Sequence, residues 1–220
     1  MTSVLEFTDT TLDPNIRGFL HVPETPNQDG LILSHGAGAN AQAPLLRVLA
    51  ETFAAAGFTV LRIDLPFRQV RPFGPPGPGD AARDRTGLKN AIAKMRTMLS
   101  GRIYLGGHSY GGRQASMLCA EQPDLAVALL LLSYPLHPPR RPEQQRTQHL
   151  PDLHTPTLFF SGTRDPFGTI AELERAMKMI PAKTKLLPIE GAGHDLGFKG
   201  KARKEELPAR VLEEFQNFVR

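Results

Sequence analysis

The sequence predicts an α/β fold: a single domain over residues 1–220, with a mostly parallel central sheet, helices on both faces and no large cap domain. Three observations predict it. Short apolar runs alternate with segments of helical period, which is the pattern of repeated strand–helix–strand units. Residues 125–133 are almost wholly apolar, as expected for a central strand covered on both faces. A length of 220 residues suffices for one sizeable core and leaves no room for a second domain.

Apolar runs bounded by turn residues predict the strands. In chain order the predicted strands are residues 4–7, 16–22, 31–34, 58–65, 102–105, 125–133, 157–161 and 185–189. The turn sequence Asp13-Pro14-Asn15 joins the first two into a hairpin or meander. Apolar residues spaced three and four apart predict the helices. The predicted helices are residues 44–56, 83–99, 113–122, 169–180 and 208–219.

Two proline-rich segments interrupt this alternation. Residues 66–80 combine proline, glycine and arginine, a composition that excludes regular structure, and residues 134–156 hold a cluster of prolines. Loops of this length inside a compact domain are usually functional or mobile. Because the second segment is short and rich in proline, we expect it to line a pocket rather than fold into a helical lid.

The composition excludes several classes of protein. The formal charge of +4 comes from scattered basic residues without interleaved aromatic residues, so no nucleic-acid partner is expected. The single cysteine, Cys119, cannot form an internal disulfide and is expected to be a small core residue. Residues 1–12 lack the pattern of a signal peptide, and the longest apolar stretch, residues 125–132, is too short to span a bilayer. We expect a cytoplasmic protein without membrane insertion, and the sequence leaves the oligomeric state open.

The clearest motif lies in the middle of the chain. The apolar run Ile103-Tyr104-Leu105 leads into Gly107-His108-Ser109-Tyr110-Gly111, a G-x-S-x-G pattern, and a predicted helix follows. A serine at the tip of a sharp strand-to-helix turn needs neighbours without side chains, because the strand and the helix pass close to it. The N-terminus of the helix directs free N–H groups at charge that develops near the hydroxyl. Ser109 is therefore the predicted nucleophile.

A serine hydroxyl needs a base to remove its proton and a carboxylate to orient that base. In a parallel sheet these residues are expected directly after strands, where the carboxyl ends of the strands meet. His194, in the glycine-flanked loop after the last predicted strand, is the predicted base, whereas the other histidines are expected mostly at the surface. Asp165 follows the strand at 157–161 and is the preferred acid. Asp195 and Asp64 are the alternatives, although Asp195 adjoins His194 and would strain to orient its ring.

Other strand ends supply candidates for contacts with the substrate. The N–H of Tyr110, next to the nucleophile, and the N–H of Ala37, in a turn of small residues, are the predicted oxyanion-hole donors. The candidates for substrate binding are His35, Arg68, Arg71 and His137. The two arginines follow the strand at 58–65, which predicts a positive wall suited to an anionic substituent. The alternative is that both arginines are merely solvated.

Together these motifs resemble the α/β-hydrolase superfamily. The sequences that carry the resemblance are H-G-A-G-A-N from His35, G-G-H-S-Y-G-G-R from Gly106, S-Y-P-L-H-P-P from Ser133, G-T-R-D-P-F-G from Gly162 and G-A-G-H-D from Gly191. The order Ser109, Asp165, His194 is the nucleophile–acid–base order of that superfamily. More narrowly, the chain from residue 31 onward is similar to a small, cap-less branch related to dienelactone hydrolase. That branch includes the NSL-complex-subunit-like and testis-expressed α/β-hydrolase-like proteins.

The resemblance implies a serine hydrolase with no metal and no organic cofactor. This chain departs from dienelactone hydrolases proper because its predicted nucleophile is a serine rather than a cysteine, which favours ordinary esters. The expected activity is cleavage of small carboxylic esters or related acyl bonds through an acyl-enzyme. Two alternatives stay open. The first is a catalytically idle scaffold or binding module, since some relatives in this branch are associated with chromatin-regulating assemblies, and the second is an acyltransferase with the same residues.

Overall fold

The computed structural model describes residues 2–198 and 201–220, the side chains of residues 201–205 excepted. In that part of the chain, eight strands form one sheet. The strands are β1 (Ser3–Asp9), β2 (Ile16–Val22), β3 (Gly30–Ser34), β4 (Thr59–Ile63), β5 (Ile103–His108), β6 (Leu129–Leu132), β7 (Thr157–Gly162) and β8 (Thr184–Ile189). Their order across the sheet is β1-β2-β4-β3-β5-β6-β7-β8.

The sheet is antiparallel at one end and parallel elsewhere. β2 pairs antiparallel with both β1 and β4, whereas the described pairs from β4 to β8 are parallel. In the register of the parallel strands, Ser34 of β3 lies opposite Gly107 of β5, and His108 of β5 lies opposite Leu132 of β6. The loops after these strands therefore meet at one edge of the sheet, which is the usual position of a site in such folds.

Helices cover both faces of the sheet. They are α1 (Pro44–Ala55), α2 (Pro66–Val70), α3 (Asp80–Met98), α4 (Tyr110–Glu121), α5 (Ile170–Met177) and α6 (Lys201–Phe218). α3, α4 and α5 contribute Leu88, Leu118 and Leu173 to one buried cluster. α1 and α6 contribute Phe53 and Phe215, whose ring centroids are 5.4 Å apart, to a second cluster. Among the described residues, no helix has both the length and the apolar character needed to cross a bilayer.

The central strand β6 shows why the sheet is buried on both sides. Leu129 and Leu131 belong to the first cluster, Leu130 and Leu132 to the second, and none of the four is exposed. Successive side chains of a strand point to opposite faces, so an all-leucine strand requires cover on each. The predicted α/β fold is confirmed. Cys119 is buried and free, as predicted, and burial raises the pKa of its thiol to about 12.

Some element boundaries differ from the prediction. β6 is shorter than residues 125–133, because Pro123–Leu125 forms a 3₁₀ turn before it. Residues 66–80 are not wholly irregular: α2 begins at Pro66, and a proline in the first helical turn costs no intrahelical hydrogen bond. α6 begins at Lys201, before the predicted start at residue 208, and holds Pro208 in its interior.

Candidate active site

Ser109 lies at the sharp turn between β5 and α4. Its φ of 52° is positive, a conformation that a residue other than glycine adopts only under strain. Glycines give the turn its room: a Cβ on Gly107 would lie 2.6 Å from the nitrogen of Gly112, and a Cβ on Gly111 would lie 2.6 Å from the carbonyl oxygen of His35. The close packing of the backbone around the turn fixes the direction of the serine side chain.

The structure brings Ser109, His194 and Asp165 into one hydrogen-bonded chain. Ser109 Oγ lies 2.8 Å from His194 Nε2, and His194 Nδ1 lies 3.0 and 2.9 Å from the two carboxylate oxygens of Asp165. Because a carboxylate can only accept hydrogen bonds, Nδ1 carries the ring proton and Nε2 accepts from the serine hydroxyl. This tautomer is the one that a general base for Ser109 needs.

Phe167 holds both the acid and the imidazole. The side chain of Asp165 is 1% exposed, and its Oδ1 accepts the N–H of Phe167 at 2.9 Å. The ring of Phe167 lies against the ring of His194, with centroids 4.1 Å apart. The Phe167 backbone therefore orients the carboxylate, while its side chain covers one face of the imidazole.

His108, the residue before Ser109, fixes the loop that carries His194. Its Nε2 lies 2.8 Å from the carbonyl oxygen of His194. Burial lowers the pKa of His108 to about 4, so the ring is neutral near pH 7. A neutral ring has a single N–H, and the contact with the carbonyl assigns it to Nε2. The strand that presents the serine thus also anchors the histidine loop.

The alternative acids lie elsewhere. Asp195 accepts the N–H of Gly197 at 3.0 Å, within its own turn. Asp64 pairs with Arg17 at 3.1 Å and accepts the N–H of Ala41 at 2.7 Å. In the described part of the chain, neither carboxylate forms a hydrogen bond with the ring of His194, so the geometry favours Asp165.

A cavity of about 590 Å³ opens in front of Ser109; we call it the Ser109 cavity. Its lining residues are Gly36, Ala37, Gly38, Ala39, Pro75, Pro76, His108, Ser109, Tyr110, Arg113, Pro135, Arg146, Phe167 and His194. Most of these residues are small, apolar or aromatic, and the permanently charged side chains among them are Arg113 and Arg146. Loops after several strands thus form a single open pocket at the sheet edge.

Two backbone N–H groups of this lining suit an oxyanion. The carbonyl oxygen of Gly36 accepts from Nδ1 of His35 at 2.8 Å and from the N–H of Ala39 at 3.0 Å. The C=O and N–H of a trans peptide point in opposite directions, so the N–H of Ala37 points away from those donors. Among the described residues, the N–H groups of Ala37 and Tyr110 have no protein acceptor. Both groups are therefore available to a ligand.

His35 does not face the Ser109 cavity, which corrects its prediction as a substrate-binding residue. The side chain is fully buried, and its Nε2 accepts the N–H of Leu65 at 3.1 Å. Burial lowers the pKa of His35, which keeps the ring neutral, with Nδ1 donating to Gly36 and Nε2 accepting. His35 therefore orients the peptide between Gly36 and Ala37 from behind.

The predicted positive wall of Arg68 and Arg71 is also absent, because both guanidinium groups have protein partners. Arg68 is buried and donates to four backbone carbonyls. They belong to Ala37 (2.7 Å), Ala39 (2.8 Å), Gly74 (2.9 Å) and Arg71 (3.1 Å). Arg71 forms an ion pair with Asp80. Neither arginine lines the Ser109 cavity, and Arg68 instead braces the loop that carries Ala37.

His137 is likewise buried away from the cavity. Its Nδ1 lies 2.8 Å from the carbonyl oxygen of Pro138, and its Nε2 lies 3.5 Å from a carboxylate oxygen of Glu172. The expectation that the other six histidines lie mostly at the surface is wrong as well: three are buried, two are half-buried and one, His154, is exposed. His21 accepts from Nε of Arg62 through its Nε2 at 2.8 Å, and both ring nitrogens of His35 have backbone partners.

Sequence reasoning missed several residues of the site. Arg113 lies four residues after Ser109 on α4, so helical spacing alone could have placed it near the nucleophile. Arg146 lies in an irregular loop and carries no such signal. Asp84 is fully buried on α3, where it accepts the hydroxyl of Tyr110 at 2.7 Å and the N–H of Phe67 at 3.0 Å. Burial raises the pKa of Asp84. The hydrogen bond between Tyr110 and Asp84 ties the turn that carries Ser109 to α3.

Candidate metal ligands do not cluster: the described residues contain no group of three or more His, Cys, Asp or Glu side chains that could hold a metal ion.

The fold and the site define the class of this protein. It is an α/β protein with a serine on a strand–helix turn, and that serine is hydrogen-bonded to a histidine that in turn contacts an aspartate. The family model for the alpha/beta hydrolase domain matches residues 27–220 of the sequence, so the chain belongs to that family.

Solved structures show the same fold. The dienelactone hydrolase from Anabaena variabilis is 23% identical with a TM-score of 0.78, and the match covers 100% of this chain and 99% of that one. An alpha-beta serine hydrolase homologue from Coxiella burnetii is 17% identical with a TM-score of 0.76, covering 97% and 98%. Est1E from Butyrivibrio proteoclasticus is 17% identical with a TM-score of 0.72, covering 97% and 98%. At these identities the likeness concerns the fold alone.

Proposed function

We propose that this protein is a serine hydrolase that cleaves small carboxylic esters, or related acyl bonds, through an acyl-enzyme on Ser109. One observation carries the proposal: His194 Nε2 lies 2.8 Å from Ser109 Oγ while its Nδ1 faces the buried carboxylate of Asp165. A scaffold has no need of this tautomer beside a strained serine. Within the family, we place the chain in the small branch related to dienelactone hydrolase that includes the NSL-complex-subunit-like proteins.

In the first half of the proposed reaction, Ser109 Oγ attacks the acyl carbonyl carbon while His194 Nε2 takes the hydroxyl proton. The N–H groups of Ala37 and Tyr110 stabilise the negative charge on the tetrahedral oxygen. The carboxylate of Asp165 stabilises the imidazolium. The intermediate collapses when the bond to the alcohol breaks and His194 passes its proton to the leaving oxygen.

In the second half, a water molecule attacks the acyl-enzyme while His194 takes one of its protons. Collapse of the second tetrahedral intermediate returns that proton to Ser109 Oγ and releases the carboxylic acid. The pocket is open, and in the described part of the chain no cap domain covers it, which suits small acyl groups better than long ones. An acceptor other than water would turn the same steps into acyl transfer.

The proposal is tested by turnover of 4-nitrophenyl acetate. Ser109→Ala should lower kcat/KM by roughly a thousandfold or more, the scale at which removal of a triad member acts in other serine hydrolases. Ser100→Ala, at an exposed serine, is the matched control and should leave turnover unchanged. Equal turnover by wild type and Ser109→Ala would refute the nucleophile, and a wild type without any ester turnover would favour the scaffold.

A further inference from the structure

Two arginines line the Ser109 cavity without a partner that neutralises them. Arg113 and Arg146 are both lining residues, and none of the residues that line the cavity is acidic. In the described part of the chain, neither guanidinium forms an ion pair with a carboxylate. The cavity therefore carries two positive charges beside the serine.

Each arginine is held in place by the elements that build the site. Arg113 lies on the first turn of α4, where its backbone N–H donates to the carbonyl oxygen of Ser109 at 3.0 Å. Arg146 is tied to the start of the loop after β6: its N–H donates to Leu136 at 2.8 Å, and its carbonyl accepts the hydroxyl of Tyr134 at 3.1 Å. Both side chains therefore start from ordered backbone rather than from a loose surface loop.

In the described part of the chain, the guanidinium groups keep donors without a protein acceptor, although the Arg113 side chain also interacts with the hydroxyl of Tyr134. Nη1 of Arg146 donates to the carbonyl oxygen of Pro135 at 3.2 Å, one of five N–H groups that the side chain offers. Nε of Arg113 is buried and has no partner among the described residues. An unpartnered buried N–H of a charged group is costly, and an anion bound nearby would offset part of that cost by stabilising the guanidinium charge.

The pKa shifts of neighbouring groups agree with positive charges on Arg113 and Arg146 that no carboxylate compensates. The pKa of Arg146 is lowered, first by burial and then by the charge of Arg113. The pKa of His149 is lowered to about 4 by burial, then by Arg113 and by Arg85. Arg85, however, is paired with Glu121 at 3.0 Å, so its charge is largely neutralised. The unpaired charge is concentrated on Arg113 and Arg146, at the cavity wall.

We propose that the Ser109 cavity takes acyl substrates that carry an anionic oxyacid group, a carboxylate or a phosphate, and that Arg113 and Arg146 bind this group. The inference rests on the proposed function and adds a substrate class to it. Guanidinium groups form paired, charge-assisted hydrogen bonds with such groups. The bound anion would lie next to the reacting ester because both arginines share the cavity with Ser109.

The test compares two esters of similar length, the 4-nitrophenyl monoester of adipic acid and 4-nitrophenyl hexanoate. The spontaneous rate is subtracted with Ser109→Ala protein. In wild type, kcat/KM should be at least about tenfold higher for the charged ester, as charge-assisted hydrogen bonds predict. Arg113→Gln/Arg146→Gln should bring the ratio close to one, and Arg113→Lys, which keeps the charge but not the fork, should give an intermediate ratio.

The matched control is Arg140→Gln/Arg141→Gln. It removes two exposed charges from the loop that also carries Arg146, at positions that do not line the cavity. It should keep the wild-type ratio. Added salt should shrink the wild-type ratio and leave that of Arg113→Gln/Arg146→Gln unchanged. Inhibition of 4-nitrophenyl acetate turnover by glutarate and by inorganic phosphate, each against neutral glutaramide, tells which anion fits better.

Three results would overturn the inference: a wild-type ratio of one or less, an unchanged ratio in Arg113→Gln/Arg146→Gln, or an equal drop in Arg140→Gln/Arg141→Gln. The last would indicate a general effect of net charge. Thermal melting of each variant shows that it is folded before its ratio is interpreted. Failure here leaves Ser109-dependent turnover of the neutral ester intact, whereas failure of the proposed function removes turnover of both esters.

Discussion

Two pairs of arginines lie near the same edge of the sheet and have opposite surroundings. Arg68 donates four of its five N–H groups to backbone carbonyls, and Arg71 is paired with Asp80. Arg113 and Arg146 line the Ser109 cavity and have no carboxylate partner in the described part of the chain. A charge near a site is available to a ligand only if its donors are free. Arg68 and Arg71 therefore help to build the site, whereas Arg113 and Arg146 can bind a ligand within the cavity.

The comparison is tested most severely by Arg68→Met. The substitution removes the donor of four carbonyls, three of them in the loops around Ala37 and Gly74, so we expect the free energy of unfolding to fall by about 3 kcal/mol. Turnover of charged and neutral esters should fall together, because the loop with the Ala37 N–H loses its brace. Chemical denaturation and kcat/KM for the two matched esters measure both effects.

Arg71→Met is the control, because its ion pair with Asp80 is partly exposed, with 44% of the arginine side chain accessible. A pair of this kind contributes at most about 1 kcal/mol. If Arg68→Met were as stable as Arg71→Met and lost only the charged ester, Arg68 would be a substrate contact, as the sequence first suggested.

A second effect concerns the pH dependence of stability. The pKa values of His21, His108 and His149 are lowered to about 4, chiefly by burial. Below pH 6.5 these histidines are protonated in the unfolded chain but not in the folded one, so their contribution to stability is lost as the pH falls from about 6.5 to 4. Urea denaturation at a series of pH values should show proton uptake on unfolding near pH 5, to which these three histidines contribute close to three protons and His35, whose pKa burial also lowers, adds its own.

Arg113→Gln should reduce this pH dependence slightly. Without the neighbouring positive charge, the pKa of His149 should rise in the folded protein, which narrows its difference from the unfolded chain. NMR titration of His149 measures the change directly. Arg68→Met should leave the pKa of His149 unchanged. An equal change of that pKa in both variants would mean that Arg68 and Arg113 have the same electrostatic effect on His149.

The fold was predictable because its signals are local. Runs such as Leu129–Leu132, buried on both faces, can only be central strands, and helical spacing identified the segments between them. Helix α2 was missed because the proline content of residues 66–80 suggested irregular structure, although a proline at a helix start is compatible with the helix. Boundaries depend on such positional detail more than on composition.

The positions of Ser109, Asp165 and His194 were predictable because topology brings the ends of parallel strands together. The partners of the arginines were not. The guanidinium group of Arg68 meets the carbonyl of Ala37, 31 residues earlier in the chain, and no sequence pattern marks a backbone acceptor. The burial of His35 had the same origin, since its partners are main-chain groups of Gly36 and Leu65.

The central claim is that His194 and Asp165 activate Ser109, and covalent labelling by a fluorophosphonate probe tests it most directly. In wild type, the probe should attach to the peptide that contains Ser109, as identified by mass spectrometry. Asp165→Asn should slow labelling by at least about a hundredfold, because the imidazole loses its orienting carboxylate. Asp195→Asn should label at the wild-type rate. Labelling at another residue, or equal rates in the two aspartate variants, would contradict the account.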